Sequence, residues 1–161
     1  MDYKKSEAKE YAREHLVGVW AANLTPFDDD LRIDEQAYRE NLDHWIKDLQ
    51  LGGLFIAGKQ AEFFSMSIPE RKRLMEMSVE AAQAAGDRGG IGRCGIITSC
   101  SDTNLDVVLD LAQHSQNIGA DYVIVHSPVL HFGADTDETI YEYYRHLSDK
   151  LDIGLAMWNH P

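Results

Sequence analysis

Short, almost wholly apolar runs alternate along this chain with longer segments of helical period. Gly18-Val19-Trp20-Ala21-Ala22-Asn23-Leu24 is a mostly apolar run stopped by Thr25-Pro26-Phe27, and it predicts a buried strand. An acidic turn, Asp28-Asp29-Asp30, follows, and Asp34 is placed to cap a helix reaching about Leu49. Within it Tyr38, Leu42, Trp45, Ile46 and Leu49 recur at three- and four-residue steps and form one apolar face. Gly52-Gly53 stops that helix, and Leu54-Phe55-Ile56-Ala57 is a second strand.

The pattern then repeats. Ser67-Ile68-Pro69-Glu70 is a capping box with proline in the first turn, so a helix starts there and turns Leu74, Met77, Ala81 and Ala84 inward. Arg93-Cys94-Gly95-Ile96-Ile97-Thr98 is a third strand. Asp102 is the expected cap of the next helix, which carries Leu105, Val108, Leu109, Ala112 and Ile118 and stops at Gly119. Tyr122-Val123-Ile124-Val125-His126 is a fourth strand. A capping-box start at Asp135-Thr136-Asp137-Glu138 opens a helix with Tyr141, Tyr144 and Leu147, and Ile153-Gly154-Leu155-Ala156-Met157-Trp158 is a fifth strand. Ahead of all this, residues 1–16 read as a short charged helix with too few apolar positions to anchor a core, hence an extension or an oligomer contact.

Strands starting near 19, 54, 93, 122 and 153 make one βα unit every 29 to 39 residues. Near-continuous apolar strands in such units predict an α/β fold with a parallel sheet covered by helices. Two architectures fit: an open doubly wound sheet, or the first five units of a (β/α)₈ barrel.

Composition narrows the function classes. Fifteen basic against 27 acidic residues give a net charge of −12, which argues against nucleic acid or an anionic membrane surface as partners. No apolar stretch approaches the ~18 residues of a membrane span, and the charged start has no leader-like apolar core. The two cysteines, Cys94 and Cys100, fit no C-x-x-C pattern and are expected to be reduced thiols of a cytoplasmic protein.

In either architecture chemistry belongs where strands end. Here the residues become recognisable. Gly18-Val19-Trp20 leads to Thr25-Pro26-Phe27, and Gly53-Leu54-Phe55-Ile56 leads to a G-x-x-x-E loop. With Ser67-x-x-Glu70-Arg71, Gly119-Ala120-Asp121 and the ending Asn159-x-Pro161, in order over residues 17–161, the chain resembles the dihydrodipicolinate synthase / N-acetylneuraminate lyase family. The resemblance implies that residues 17–161 are the first five strands of an incomplete (β/α)₈ barrel, the chain being well short of the ~250 residues of a whole one. It implies aldol-type lyase chemistry on pyruvate-like 2-keto acids through a lysine Schiff base, with no metal or organic cofactor. An iminium draws electrons from the neighbouring carbon, a hydroxyl relay moves protons, and backbone N–H groups hold the carboxylate.

Carried over by position, the family's G-T-T-G-E loop stands here as Gly58-Lys59-Gln60-Ala61-Glu62, the substrate-binding loop to which Asn159 adds. Its two hydroxyl positions hold Lys59 and Gln60. The catalytic tyrosine of Y-N-x-P is Trp158, and the tyrosine after strand four falls near Leu130. The Schiff-base lysine of the family lies on strand six, beyond Pro161. The expected alternative is therefore a non-catalytic half-barrel that binds a carboxylate or a partner subunit. Open edges at strands one and five predict self-association, a homo-oligomer or larger assembly.

Lys59 is expected at the barrel mouth, as a carboxylate anchor, a substitute amine nucleophile, or a plain partner of Glu62. Glu62 is expected to clamp its loop by accepting backbone N–H bonds. His126, His131 and His160 follow strands four and five and could converge on one rim, where with Glu62 they would suit zinc. Their spacing matches no metal motif, so no metal site is assigned, and one of them is instead a candidate acid or base in place of the missing tyrosine. Thr98 and Ser99 read as helix entry, Cys94 and Cys100 as unreactive thiols, and Trp20, Trp45, Tyr141 and Tyr144 as packing residues. Gly89-Gly90-Ile91-Gly92 precedes a strand and so is no phosphate loop.

Overall fold

The computed structural model describes residues 3–127 and 136–158. A 3₁₀ turn, Lys5–Glu7, and helix α1, Ala8–His15, precede the first strand. Then come β1 (Trp20–Ala22), α2 (Glu35–Asp43, continued by a π turn over His44–Asp48), β2 (Gly53–Ile56) and α3 (Ile68–Ala85). The remainder is β3 (Gly95–Ser99), α4 (Leu105–Ile118), β4 (Tyr122–His126), α5 (Asp137–Lys150) and β5 (Gly154–Trp158).

The sheet order is β1-β2-β3-β4-β5, every neighbouring pair parallel. That order chooses between the two architectures. A doubly wound sheet reverses its strand order partway, whereas a barrel adds each strand beside the last. β1 and β5 are the two edges, as expected for part of a barrel.

Alternation along each strand sorts side chains between two faces. Leu54, Ile56, Ile96, Val123 and Val125 enter the core against Tyr38, Leu42, Leu74, Met75, Leu111 and Leu147 of the helices. Trp20, Phe55, Ile97, Ile124 and Trp158 lie on the other, concave face. Glycines make room for its floor: a Cβ on Gly53 or Gly95 would lie 2.3 or 2.5 Å from the Trp20 ring, and one on Gly154 would lie 2.3 Å from Tyr122.

The helix starts follow the local rules, with adjustments. Asp34 accepts from the Ala37 amide, and Ser67 with Glu70 forms the capping box of α3. The cap of α4 is Asn104, not Asp102; Asp102 stands one step earlier, its Oδ1 accepting from the Asn104 amide at 3.0 Å while its Oδ2 meets Arg71. α5 is capped by Thr136, whose hydroxyl accepts from Thr139. β3 begins at Gly95 rather than Arg93, because Arg93 turns to Asp121. Leu49, Ala84 and Tyr141 are exposed, so the buried faces of α2 and α3 end earlier, and that of α5 begins later, than the periodicity predicts.

The N-terminal segment is tied to the N-terminal ends of β4 and β5 by hydroxyls rather than by aliphatic burial. Tyr3 donates to the Asp121 carbonyl and accepts from the Gly154 amide at 2.8 Å. Tyr11 donates to Asp121 Oδ1 at 2.7 Å, and Tyr122 donates to the Ala8 carbonyl at 2.8 Å. The rings of Tyr3 and Tyr11 stack 4.2 Å apart. Burial pushes the Tyr3 phenol up to about 12, so its proton stays to donate.

Candidate functional site

The C-terminal ends of the strands carry the expected loop. After β2 the chain turns sharply: Ala57 has φ +54° and Glu62 φ +60°, both non-glycine residues in the left-handed region. Such conformations cost about 1–3 kcal/mol each and gather at functional turns. Between them Lys59–Ala61 forms one 3₁₀ turn, with the Ala61 amide on the Gly58 carbonyl and the Glu62 amide on the Lys59 carbonyl. The amides of Lys59 and Gln60 open this turn and take no partner among the described residues. Thr25, from the end of β1, braces the loop by donating to the Ala61 carbonyl at 3.0 Å.

Lys59, Gln60 and Glu62 are exposed, while Gly58 and Ala61 are buried. Lys59 and Glu62 form no ion pair with each other. Nor does the Glu62 carboxylate clamp the loop: its side chain takes no hydrogen bond among the described residues, and the turn is held by backbone bonds and Thr25. Asn159, His131, His160 and Leu130 lie outside the described residues.

Beneath the loop runs a chain of rings. A Cβ on Gly58 would lie 2.3 Å from Phe55 Cε1, so the loop rests directly on the Phe55 ring. Phe55 stacks on Trp158 across the concave face, with centroids 5.3 Å apart and planes at 14°. Trp158 lies 5.6 Å from the His126 ring, and His126 meets Phe63 edge-on at 6.2 Å. The structure thus brings the Gly58–Glu62 loop and Trp158 to one end of the sheet, as the spacing implied. Phe55 on β2 and Phe63 in the 3₁₀ turn Phe63–Ser65 lie outside the expected site residues; their link through Trp158 and His126 on β5 and β4 leaves no trace in local pattern.

Arg71 supports this end from below. It is 1 % exposed, donates to Asp102 at 3.0 Å and to the Ser101 carbonyl at 2.7 Å, and lies 5.0 Å over the Phe63 ring. Burial pulls its pKa below the usual guanidinium value, with the nearby thiol and Asp102 opposing. Thr98 and Ser99 are interior residues rather than helix entry. The Thr98 hydroxyl donates to Ser115 at 2.8 Å, and Ser99 to Ser101 at 3.4 Å. Cys94 and Cys100 are free and buried, and burial pushes each thiol up to about 11. Among the described residues no three His, Cys, Asp or Glu side chains converge as metal ligands, and no helix is long and apolar enough to cross a membrane.

Comparisons with known proteins agree with this geometry. The family model described as "Dihydrodipicolinate synthetase family" matches residues 15–161. A protein described as an uncharacterized DapA-like lyase from Thermococcus kodakarensis is 31% identical over 144 residues, 89% of this chain and 45% of its own. The 4-hydroxy-tetrahydrodipicolinate synthase of Brucella abortus is 30% identical over 146 residues, 91% of this chain and 46% of its own. Among solved structures, the N-acetylneuraminate lyase of Mycoplasma synoviae superposes with a TM-score of 0.77 at 20% identity, over 89% of this chain and 46% of that one. This chain therefore spans less than half the length of these relatives.

Proposed function

Because the chain belongs to the dihydrodipicolinate synthetase family, we propose that it forms the carboxylate-holding half of a lyase site for pyruvate-like 2-keto acids. The observation that supports this most directly is the strained turn with the unpartnered amides of Lys59 and Gln60 at its opening. Two adjacent N–H groups suit a carboxylate, and the Lys59 ammonium adds charge in a protein of net −12. In this reading Lys59 anchors the ligand electrostatically and Gly58 lets the loop sit on Phe55.

The Schiff base would come from the strand-six lysine that the family resemblance places one βα unit beyond Trp158. An amine attacks the keto carbon, water leaves, and the iminium draws electrons from the neighbouring carbon–carbon bond. A second reading, a non-catalytic half-barrel that binds a carboxylate or a partner subunit, is favoured by one observation. Lys59, Gln60 and Trp158 stand where the family resemblance puts hydroxyls, so the proton relay lacks its donors at these positions. β1 and β5 are the outer strands of the sheet among the described residues, and an outer strand offers backbone groups to a partner subunit; two free buried thiols suit a reducing compartment such as the cytoplasm.

Borohydride reduction in the presence of pyruvate, with mass spectrometry, tests the assignment. The 161-residue chain is expected to bind pyruvate in calorimetry yet trap no adduct. An adduct on Lys59 would instead make it the nucleophile, and absence of binding would remove the keto-acid reading altogether.

A further inference from the structure

We infer that Arg71 is a positioning residue: by gripping Phe63 and the strand end at Ser101 together, it holds the Lys59 and Gln60 amides in the orientation that receives the carboxylate. The inference rests on the carboxylate reading of the loop and adds the part that keeps the loop still. Every contact it uses lies at the ends of β2, β3 and β4, which are interior strands with a neighbour on each side. The loop and the 3₁₀ turn Phe63–Ser65 share Glu62, whose amide donates to the Lys59 carbonyl at 3.1 Å and whose carbonyl accepts from the Ser65 amide at 2.9 Å. Glu62 has φ +60°, a conformation that persists only where its surroundings hold it. Thr25 holds one side, at the Ala61 carbonyl. On the other side Phe63 lies under the Arg71 guanidinium, 5.0 Å from it. The same guanidinium donates to the Ser101 carbonyl at 2.7 Å and to Asp102 Oδ2 at 3.0 Å. The Ser101 hydroxyl accepts from the His126 amide at 3.0 Å, and the His126 ring meets Phe63 edge-on, which closes a circuit of contacts through the three strand ends.

Stability alone does not account for this arginine. Its side chain is 2 % exposed, its carboxylate partner Asp102 is 24 % exposed, and its Nε takes no hydrogen bond. A buried charge with an idle donor is a poor source of stability, and an apolar side chain of similar volume often does as well or better. What an apolar side chain cannot do is tie two loops together in fixed directions. The guanidinium is planar, reaches two acceptors at set angles and lies flat on an aromatic face, and a lysine ammonium does not do all three at once.

Calorimetric titration with pyruvate, together with amide ¹H–¹⁵N shifts of the ligand-free protein, tests this on the wild type, Arg71→Lys, Phe63→Leu and the double variant, each checked for its fold by circular dichroism. The wild type is expected to bind. Arg71→Lys is expected to fold, to move the Lys59, Gln60 and His126 amide resonances, and to bind at least about ten-fold more weakly. The double variant should bind no more weakly than Arg71→Lys, since both substitutions cut the same link. Unchanged affinity with unmoved Lys59 and Gln60 amides in folded Arg71→Lys, or losses that simply add in the double variant, would overturn the positioning role and leave the carboxylate reading standing. Should Arg71→Lys not fold, Phe63→Leu, which leaves the Arg71 hydrogen bonds in place, decides by the same affinity and the same shifts. Failure of the wild type to bind pyruvate would overturn both.

Discussion

Replacing Asp121 with alanine is expected to destabilise the protein by about 3–4 kcal/mol, a large effect for one side chain. Asp121 is 4 % exposed and joins the N-terminal segment to the sheet. Its Oδ2 accepts from the Ile96 amide at 2.7 Å, and its Oδ1 accepts from the Tyr11 hydroxyl at 2.7 Å and from Arg93. Alanine leaves the buried Ile96 amide without a partner, which costs about 1–3 kcal/mol. It also removes the carboxylate partner of Arg93, which keeps its bond to the Cys94 carbonyl at 3.2 Å. Breaking a fully buried pair costs about 3–5 kcal/mol, but the Arg93 side chain is 25 % exposed and recovers part of that from water. Urea denaturation of the wild type, Asp121→Ala, Tyr11→Phe and the double variant gives the numbers. Tyr11→Phe alone should cost about 1 kcal/mol, and most of that cost should vanish in the Asp121→Ala background. A loss below about 1 kcal/mol for Asp121→Ala, or strictly additive variants, would refute the claim that this carboxylate holds the N-terminal segment in place.

Gly58→Ala is expected to destabilise by about 1–3 kcal/mol and to weaken pyruvate binding. Its φ of −82° is ordinary, so the damage comes from the Phe55 ring 2.3 Å from the new Cβ, and Phe55→Leu should relieve it in the urea midpoint. Cys94 and Cys100 are expected to stay unmodified by a thiol reagent at pH 8 in the native protein and both to react in denaturant, since burial holds each thiol near 11. The Ser67 hydroxyl and amide bond Glu70 and hold its carboxyl below the usual glutamate range. A lowered folded-state pKa stabilises above the unfolded value and is lost as pH falls through the folded one. The stability gap between wild type and Glu70→Gln, measured by thermal melts from pH 7 to pH 3, should therefore close toward acid pH.

Strand and helix positions were legible in the sequence because they rest on local signals. Continuous apolar runs such as Tyr122–His126, and punctuation such as Ser67-Ile68-Pro69-Glu70, need no knowledge of the rest of the chain. The choice of barrel over open sheet was not local; it lay in the motifs of the family and then in the consecutive strand order. Apolar content understates the N-terminal segment, because Tyr3 and Tyr11 bind through hydroxyls to Asp121, which lies more than a hundred residues away in sequence. Asp102 has the residue type of a helix cap, but it is shared between the Asn104 amide and the buried Arg71 guanidinium, a partner 31 residues away that local pattern does not show, and Asn104 caps the helix. The loop from Gly58 to Glu62 was found by its motif. The Phe55–Trp158 stack beneath it was not, since rings on β2 and β5 meet only once the sheet brings the two strands to face each other.

The central claim is that the turn after β2 receives a carboxylate on the amides of Lys59 and Gln60. A pyruvate titration followed by amide ¹H–¹⁵N chemical shifts tests it directly. Saturable shifts confined to residues 58–62 and the neighbouring Phe55 and Trp158 are the predicted result. Shifts absent from Lys59 and Gln60 at saturating pyruvate, or centred elsewhere on the protein, would contradict it.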